Sequence, residues 1–515
     1  MSAAGDDDVL YEDGEIPNNY RNNPSTPKKS TSSCTRYHIS AFVITFFSYA
    51  LFHATRKTFS NVKNSMSAEW TPYNLSYPDV YSYKQWNNRN LFSNSKSVSY
   101  FLGSLDTTFM TCYALGLYVS GAIGDRFNLR KVLAFGMCSS SIAVFMFGTV
   151  SEWLHIYNYY WYIIFWAITG LLQSTGWPTV VAIIGNWFGK SSRGLVMGFW
   201  GSSPSVGNIM GAYIAAAVLH YGYEYAFLIP AAMTFAGGII VYFSIVSSPR
   251  EVGLPEPEEG ETKNTDKEPL LNPECAAINE DSAFLLQDES LQIRKPKAIN
   301  FFKAFLLPGV LPYSLSYACL KMVNYSFFFW LPYYLQKAYG WEEAEADSLS
   351  VWYDIGGIIG SIIGGIISDK LGTRSPVVGF LLLLSPGSLY LYYVSPANKI
   401  INVFLMSVMG FFIGGASNLI STAISADLGR QKEFSDKESL STVIGIIDGT
   451  GSVGAAIGQT VISVIQTNFN WKVVFYLFIA MVILTLICII KIVYRDTKLL
   501  IQRWKNQIAL RLRQD

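Results

Sequence analysis

Two stretches of this chain, 244 residues apart, carry nearly the same signature: Gly121-Ala122-Ile123-Gly124-Asp125-Arg126 and Gly365-Ile366-Ile367-Ser368-Asp369-Lys370. Each closes a glycine-rich apolar run, and an arginine follows each at the same offset, Arg130 and Arg374. A charged turn that recurs between apolar spans makes the chain two copies of one membrane bundle. Carriers are often built by such duplication, with the substrate site where the halves meet. The fold expected is therefore an all-α membrane protein of twelve transmembrane helices in two pseudo-symmetric six-helix bundles.

Composition agrees. Only 15% of the 515 residues are charged, against the roughly 25% usual in soluble domains. The 33 Phe and 32 Tyr suit helices packed in lipid with aromatic rims. A net charge of +1 leaves no basic field for nucleic acid. The six cysteines (Cys34, Cys112, Cys138, Cys275, Cys319, Cys488) have no C-x-x-C or framework spacing, so neither a disulfide set nor a metal site is expected. No cofactor motif is found, and neither H-E-x-x-H nor G-x-S-x-G occurs, so an enzyme is not expected.

Runs of about 20 apolar residues fall near 38–62, 99–122, 131–151, 159–186, 194–219, 225–247, 307–335, 349–368, 376–395, 401–425, 440–466 and 471–493. The division is then a disordered tail (1–37), a first bundle (38–247), a linker (248–300), a second bundle (301–495) and a final tail (496–515). Arg126, Arg130, Lys131, Lys190, Arg193, Lys370, Arg374, Arg430, Lys432 and Lys437 fall in alternate short loops, while the opposing ones hold only Lys337, Lys399 and Lys472. The positive-inside rule puts the first set, and both termini, in the cytosol.

The lumenal loop 63–98 contains Asn74-Leu75-Ser76, a glycosylation sequon on the side where glycans are added. The linker has twelve acidic residues against six basic and reads as a flexible tether. In it, Asp266 precedes Leu270-Leu271 and Asp281 precedes Leu285-Leu286, the spacing that cytosolic sorting adaptors read on proteins bound for lysosome-like membranes.

Ionisable groups inside spans are costly and mark function. Lys321 is the sole charge in the 27 residues from Gly309 to Leu335. It needs an anionic ligand, a water-filled cavity or a carboxylate partner, for which Asp354 and Asp448 are available. Those two carboxylates could also relay protons. Arg56 and Lys57 follow a 16-residue apolar stretch, Ile39–Ala54, and are either inside the bilayer or anchors at its edge. Ser48-Tyr49-Ala50 recurs as Ser316-Tyr317-Ala318, a register that puts His53 opposite Lys321 and Arg56 opposite Asn324. Two cations converging from opposite halves suit a doubly charged phosphate. Asp106 is expected at a helix end near the far membrane face. Asp125, Arg126, Asp369 and Lys370 are expected to latch helix ends and control switching rather than touch substrate. Ser205-Val206-Gly207-Asn208-Ile209-Met210-Gly211 recurs as Ser452-Val453-Gly454-Ala455-Ala456-Ile457-Gly458, with the glycines assigned to close helix packing.

HATRKTFSNVK (53–63), LLQSTGWP (171–178), GNWFGK (185–190), GYEYAFL (222–228), NYSFFFWLPYYL (324–335), WYDIGGIIG (352–360) and ISADLGRQ (424–431) together resemble the major facilitator superfamily. Within it they resemble the sugar-phosphate exchangers of the organophosphate:phosphate antiporter group, over about 38–495. The resemblance implies alternating access and exchange of an organophosphate for inorganic phosphate across the endoplasmic reticulum or another endomembrane. It implies that Arg56 corresponds to the first-half phosphate-binding arginine. The second-half arginine of the bacterial glycerol-phosphate exchanger falls on Asn324, one turn after Lys321, and that group's fourth-span histidine falls on Asn186. The substrate-binding set expected is His53, Arg56, Lys57, Lys321 and Asn324. The alternatives are a proton-coupled carrier using Asp354 or Asp448, a carrier of another anion such as a phosphonate, dependence on an accessory membrane subunit, and a substrate sensor.

Overall fold

The computed structural model describes residues 35–71, 91–124, 126–188, 196, 199–255, 301–429 and 440–511, and they are organised as helices. In chain order the long ones are α1 (Arg36–Asn61), α2 (Ser95–Gly124), α3 (Leu129–Trp153), α4 (Tyr159–Trp187), α5 (Ser203–Val218) and α6 (Tyr223–Ser244). The second half repeats them as α7 (Val310–Tyr339), α8 (Glu343–Leu371), α9 (Ser375–Tyr393), α10 (Lys399–Gly429), α11 (Leu440–Asn468) and α12 (Trp471–Arg511). Helix starts are set by local chemistry. Asn128, Asn158 and Asn398 accept first-turn amides of α3, α4 and α10, and prolines occupy the first turns of α5 and α9. Gly340 and Gly372, both left-handed, end α7 and α8.

Among the described residues, nine of these helices are long and apolar enough to cross a membrane by length and composition. The other three, α2, α5 and α7, meet the opposite half. Thr107 Oγ1 on α2 lies 2.9 Å from Thr460 Oγ1 on α11, Asn208 on α5 bonds Asp354 on α8, and α7 carries Lys321.

The repeat survives in the packing. A Cβ on Gly207 would fall on the Ala50 carbonyl of α1, and one on Gly454 would fall on the Ala318 carbonyl of α7. The small-residue motif of α5 or α11 thus meets the Ser-Tyr-Ala motif of α1 or α7 at equivalent positions. On the first-bundle side the close approach continues one turn on, where a Cβ on Gly211 would lie 2.7 Å from Ala54 O. Backbones this near leave no room for a methyl.

The expected loop 63–98 needs correction at both ends. Residues 63–70 are not loop: Lys63–Trp70 is a second helix after a turn at Val62, and Lys63, Met66 and Trp70 are buried. Ser95–Val98 already belong to α2. Residues 496–511 continue α12, which runs 41 residues with no glycine or proline in it.

Candidate functional site

The repeated charged turns define one end of the molecule, called here the motif end. Midway to the far end, both halves line a cavity of ≈ 50 Å³, room for about three to five water molecules. Its walls include Tyr49, His53, Lys57 and Asn208 from the first bundle, with Asn324, Tyr325, Asp354 and Asp448 from the second. A sugar-sized solute does not fit, so the halves are closed around the site in this conformation.

Arg56 is fully buried behind this wall. Its Nε donates to Gln173 Oε1 (3.2 Å) and its Nη1 to Tyr325 Oη across the seam (3.1 Å). The guanidinium carbon lies 4.6 Å from the Tyr113 ring centre and 5.2 Å from that of Phe109. Nη2 has no hydrogen-bond partner, and no carboxylate pairs with Arg56 among the described residues. A guanidinium held only by neutral acceptors and ring faces keeps its full positive charge.

Lys321 differs. Its Nζ lies 2.7 Å from Asp448 Oδ1, 2.8 Å from Ser452 Oγ and 3.4 Å from Asp448 O, so all three ammonium protons are committed within its own half. The two cations do converge, on shared aromatic residues: Lys321 Nζ is 5.5 Å from the Tyr113 ring centre and 4.9 Å from that of Tyr325. Tyr325 lines the cavity and Arg56 and Lys321 do not, so the tyrosine screens both from it.

Asn324 stays within its bundle, accepting from Tyr353 Oη (2.6 Å) and donating to Ser417 Oγ (3.3 Å). His53 Nδ1 lies 2.9 Å from Asn208 Oδ1, and Asn208 Nδ2 donates to Asp354 Oδ1 at 2.7 Å. Sequence reading passed over Asn208, although a signal existed: its equivalent in the repeated motif is Ala455. Asn186, the position matched to the family's fourth-span histidine, bonds Ser247 O near the end of α4 and is not part of the site.

Lys57 faces the seam nearer the far end. Pro332 has no N–H, so the Phe328 carbonyl of α7 lacks its intrahelical donor. Lys57 Nζ and Ser60 Oγ supply two donors, each at 2.9 Å. Phe329 O, one residue on, accepts Ser60 Oγ and Lys63 Nζ at 3.1 Å each. Lys63 also pairs with Asp106, which corrects the expectation of a helix-end aspartate: Asp106 lies inside α2 and is fully buried. Three side chains of the first bundle thus close the far end onto a proline break in the second.

At the motif end, Arg374 joins three helix termini of the second bundle. Its Nη1 lies 3.2 Å from Asp369 Oδ1 on α8 and its Nε 2.5 Å from Asp427 Oδ2 on α10. Lys370 and Arg126 are exposed. Asp125, the sequon at Asn74 and the leucine pairs after Asp266 and Asp281 lie outside the described residues.

Two pseudo-symmetric bundles that both line a central cavity, with a polar seam between them toward the far end, make a secondary carrier of the alternating-access class. The chain belongs to the Major Facilitator Superfamily, whose family model matches residues 45–434, and within it to the sugar phosphate exchangers. It is 54% identical over 474 residues to "Sugar phosphate exchanger 3" of Xenopus laevis, covering 91% of this chain and 94% of that one. It is 36% identical over 485 residues to "Glucose-6-phosphate exchanger SLC37A2" of Xenopus tropicalis, covering 92% and 95%. The fold matches the crystal structure of a D-xylose-proton symporter with a TM-score of 0.59 at 11% identity, over 88% of this chain and 97% of that one. The chain is a multi-pass membrane transporter, not an enzyme.

Proposed function

We propose that the carrier moves an organic anion bearing a phosphate monoester, the group shared by a sugar phosphate and glucose 6-phosphate, and returns inorganic phosphate in exchange. Arg56 carries this reading: it is a buried guanidinium beside the cavity, with no counter-ion among the described residues and one nitrogen uncommitted. Lys321 is balanced by Asp448, and Lys57 shares the cavity wall with Asp354, which leaves Arg56 as the cation beside the cavity with no paired carboxylate among the described residues. Such a site selects an anion, and arginine's fork of donors matches phosphate oxygens. Loading requires the halves to part and Tyr325 to release Nη1, whose place a phosphate oxygen then takes.

The motif end is read as cytosolic because Arg126, Arg130, Lys131, Lys370 and Arg374 gather there. The compartment proposed is the endoplasmic reticulum or a lysosome-like membrane. A glycan at Asn74, adaptors on the two leucine pairs and an accessory membrane subunit remain part of the proposal. Purified protein in phosphate-loaded liposomes should take up labelled phosphate and release it to glucose 6-phosphate, and Arg56→Gln should abolish both. Full exchange by Arg56→Gln would overturn the reading.

A further inference from the structure

We infer that Asn208 and Asp354 are positioning residues of the anion site, which set the tautomer of His53 and through it the pose of Arg56. The inference rests on the reading of Arg56 as the anion's ligand.

Each link follows from the one before. Asp354 is a carboxylate and can only accept, so the neighbouring amide presents its nitrogen, and Asn208 Nδ2 donates to Asp354 Oδ1 at 2.7 Å. That leaves Asn208 Oδ1 toward His53 Nδ1 at 2.9 Å. An acceptor there requires the proton on Nδ1, so the neutral ring carries its lone pair on Nε2. Nε2 lies 3.5 Å from Arg56 Nη1, the same nitrogen that donates to Tyr325. Turning the amide over would set its NH2 against a ring N–H and its oxygen against a carboxylate, losing both bonds. All four side chains are buried, in a setting where a lost hydrogen bond is costly.

Two bonds of this line cross between the bundles: Asn208 on α5 to Asp354 on α8 at one end, and Arg56 on α1 to Tyr325 on α7 at the other. The chain of bonds is therefore complete only while the halves are closed at this depth. Once they part, the amide can turn, the imidazole can exchange tautomers, and Arg56 loses its acceptor on that side. Closure and the aiming of the guanidinium are thus one event. His53 and Asp354 become supports of Arg56, rather than a direct ligand and a proton relay.

The test exchanges the two functional groups. Asn208→Asp faces one carboxylate with another, and should raise the KM for phosphate in liposome exchange by about 10- to 100-fold. Asp354→Asn alone keeps an acceptor for Asn208 and should cost less. Combining the two rebuilds the line: the new carboxylate accepts from His53 Nδ1 and from the new amide, and the KM should return to within a few-fold of wild type. Nitrogen NMR of the four histidines, with His53→Asn for assignment, gives a readout that needs no transport. The His53 signal should be that of an Nδ1-protonated ring in wild type and in the double variant, and averaged in Asn208→Asp. A double variant no better than Asn208→Asp, or an Nε2-protonated ring in wild type, would overturn the inference. Failure of the anion reading looks different: Arg56→Gln would exchange phosphate normally.

Discussion

The two halves place a cation at nearly the same depth, yet treat it in opposite ways. Arg56 in the first bundle is wrapped by Gln173, Tyr325, Tyr113 and Phe109, all uncharged. Lys321 in the second is neutralised by Asp448 and capped by Ser452. The repeat fixes the shared backbone, as the matching contacts Gly207–Ala50 and Gly454–Ala318 attest. It does not fix electrostatics. One half holds a bare charge beside the cavity, and the other holds a closed ion pair that meets it through Tyr325.

The largest effect should come from breaking the closed pair. Asp448→Asn leaves a buried ammonium with no counter-charge, a change that costs about 3–5 kcal/mol in typical buried pairs. The expected result is a marked drop in thermal midpoint of the detergent-solubilised protein. Arg56→Gln removes a buried charge that has no counter-ion among the described residues, so its midpoint should match or exceed that of wild type even though exchange is lost. Equal destabilisation by the two variants would mean that the halves do not differ as described.

Next in size is the proline seam. Pro332→Ala returns an N–H to α7, which competes with Lys57 and Ser60 for Phe328 O. The far end should then open more readily, with about 1–2 kcal/mol shifted between closed and open states. Labelling of a cysteine introduced at Tyr325, measured with and without Pro332→Ala, should be faster in the alanine background. An unchanged rate would show that the seam does not depend on the freed carbonyl.

Much of this was readable from residues that act locally. The charged turns, the glycine motifs and the Ser-Tyr-Ala register report helix ends and helix approach, which short strings encode. Lys321 announced itself as a lone charge in an apolar run, and both of its candidate partners were named, though not which one it chose. What escaped depends on side chains that meet from far apart in the chain. Tyr325 reaches Arg56 across 269 positions, and nothing near either residue says so. The Lys63–Asp106 pair was missed because hydropathy closed the first span at Val62 and put Asp106 at a helix end, whereas a second helix, Lys63–Trp70, buries Lys63, Met66 and Trp70. Asn208 could have been found by asking why one copy of a packing motif holds an amide where the other holds Ala455.

The smallest expected effect is Ser60→Ala. Its hydroxyl is shared between Phe328 O and Phe329 O, and Lys57 and Lys63 still serve those carbonyls when it is gone. A neutral hydrogen bond with charged substitutes in place contributes about 0.5–1.5 kcal/mol. The thermal midpoint should therefore fall only slightly and exchange should persist. Lys57→Met should do more, because it strips a charged donor from the same carbonyl while Arg56 stays in place to bind phosphate. If Lys57→Met instead raised the KM for phosphate as far as Asn208→Asp does, Lys57 would belong to the anion site. The first half would then hold two active cations against none in the second, and the contrast between the halves would be sharper still.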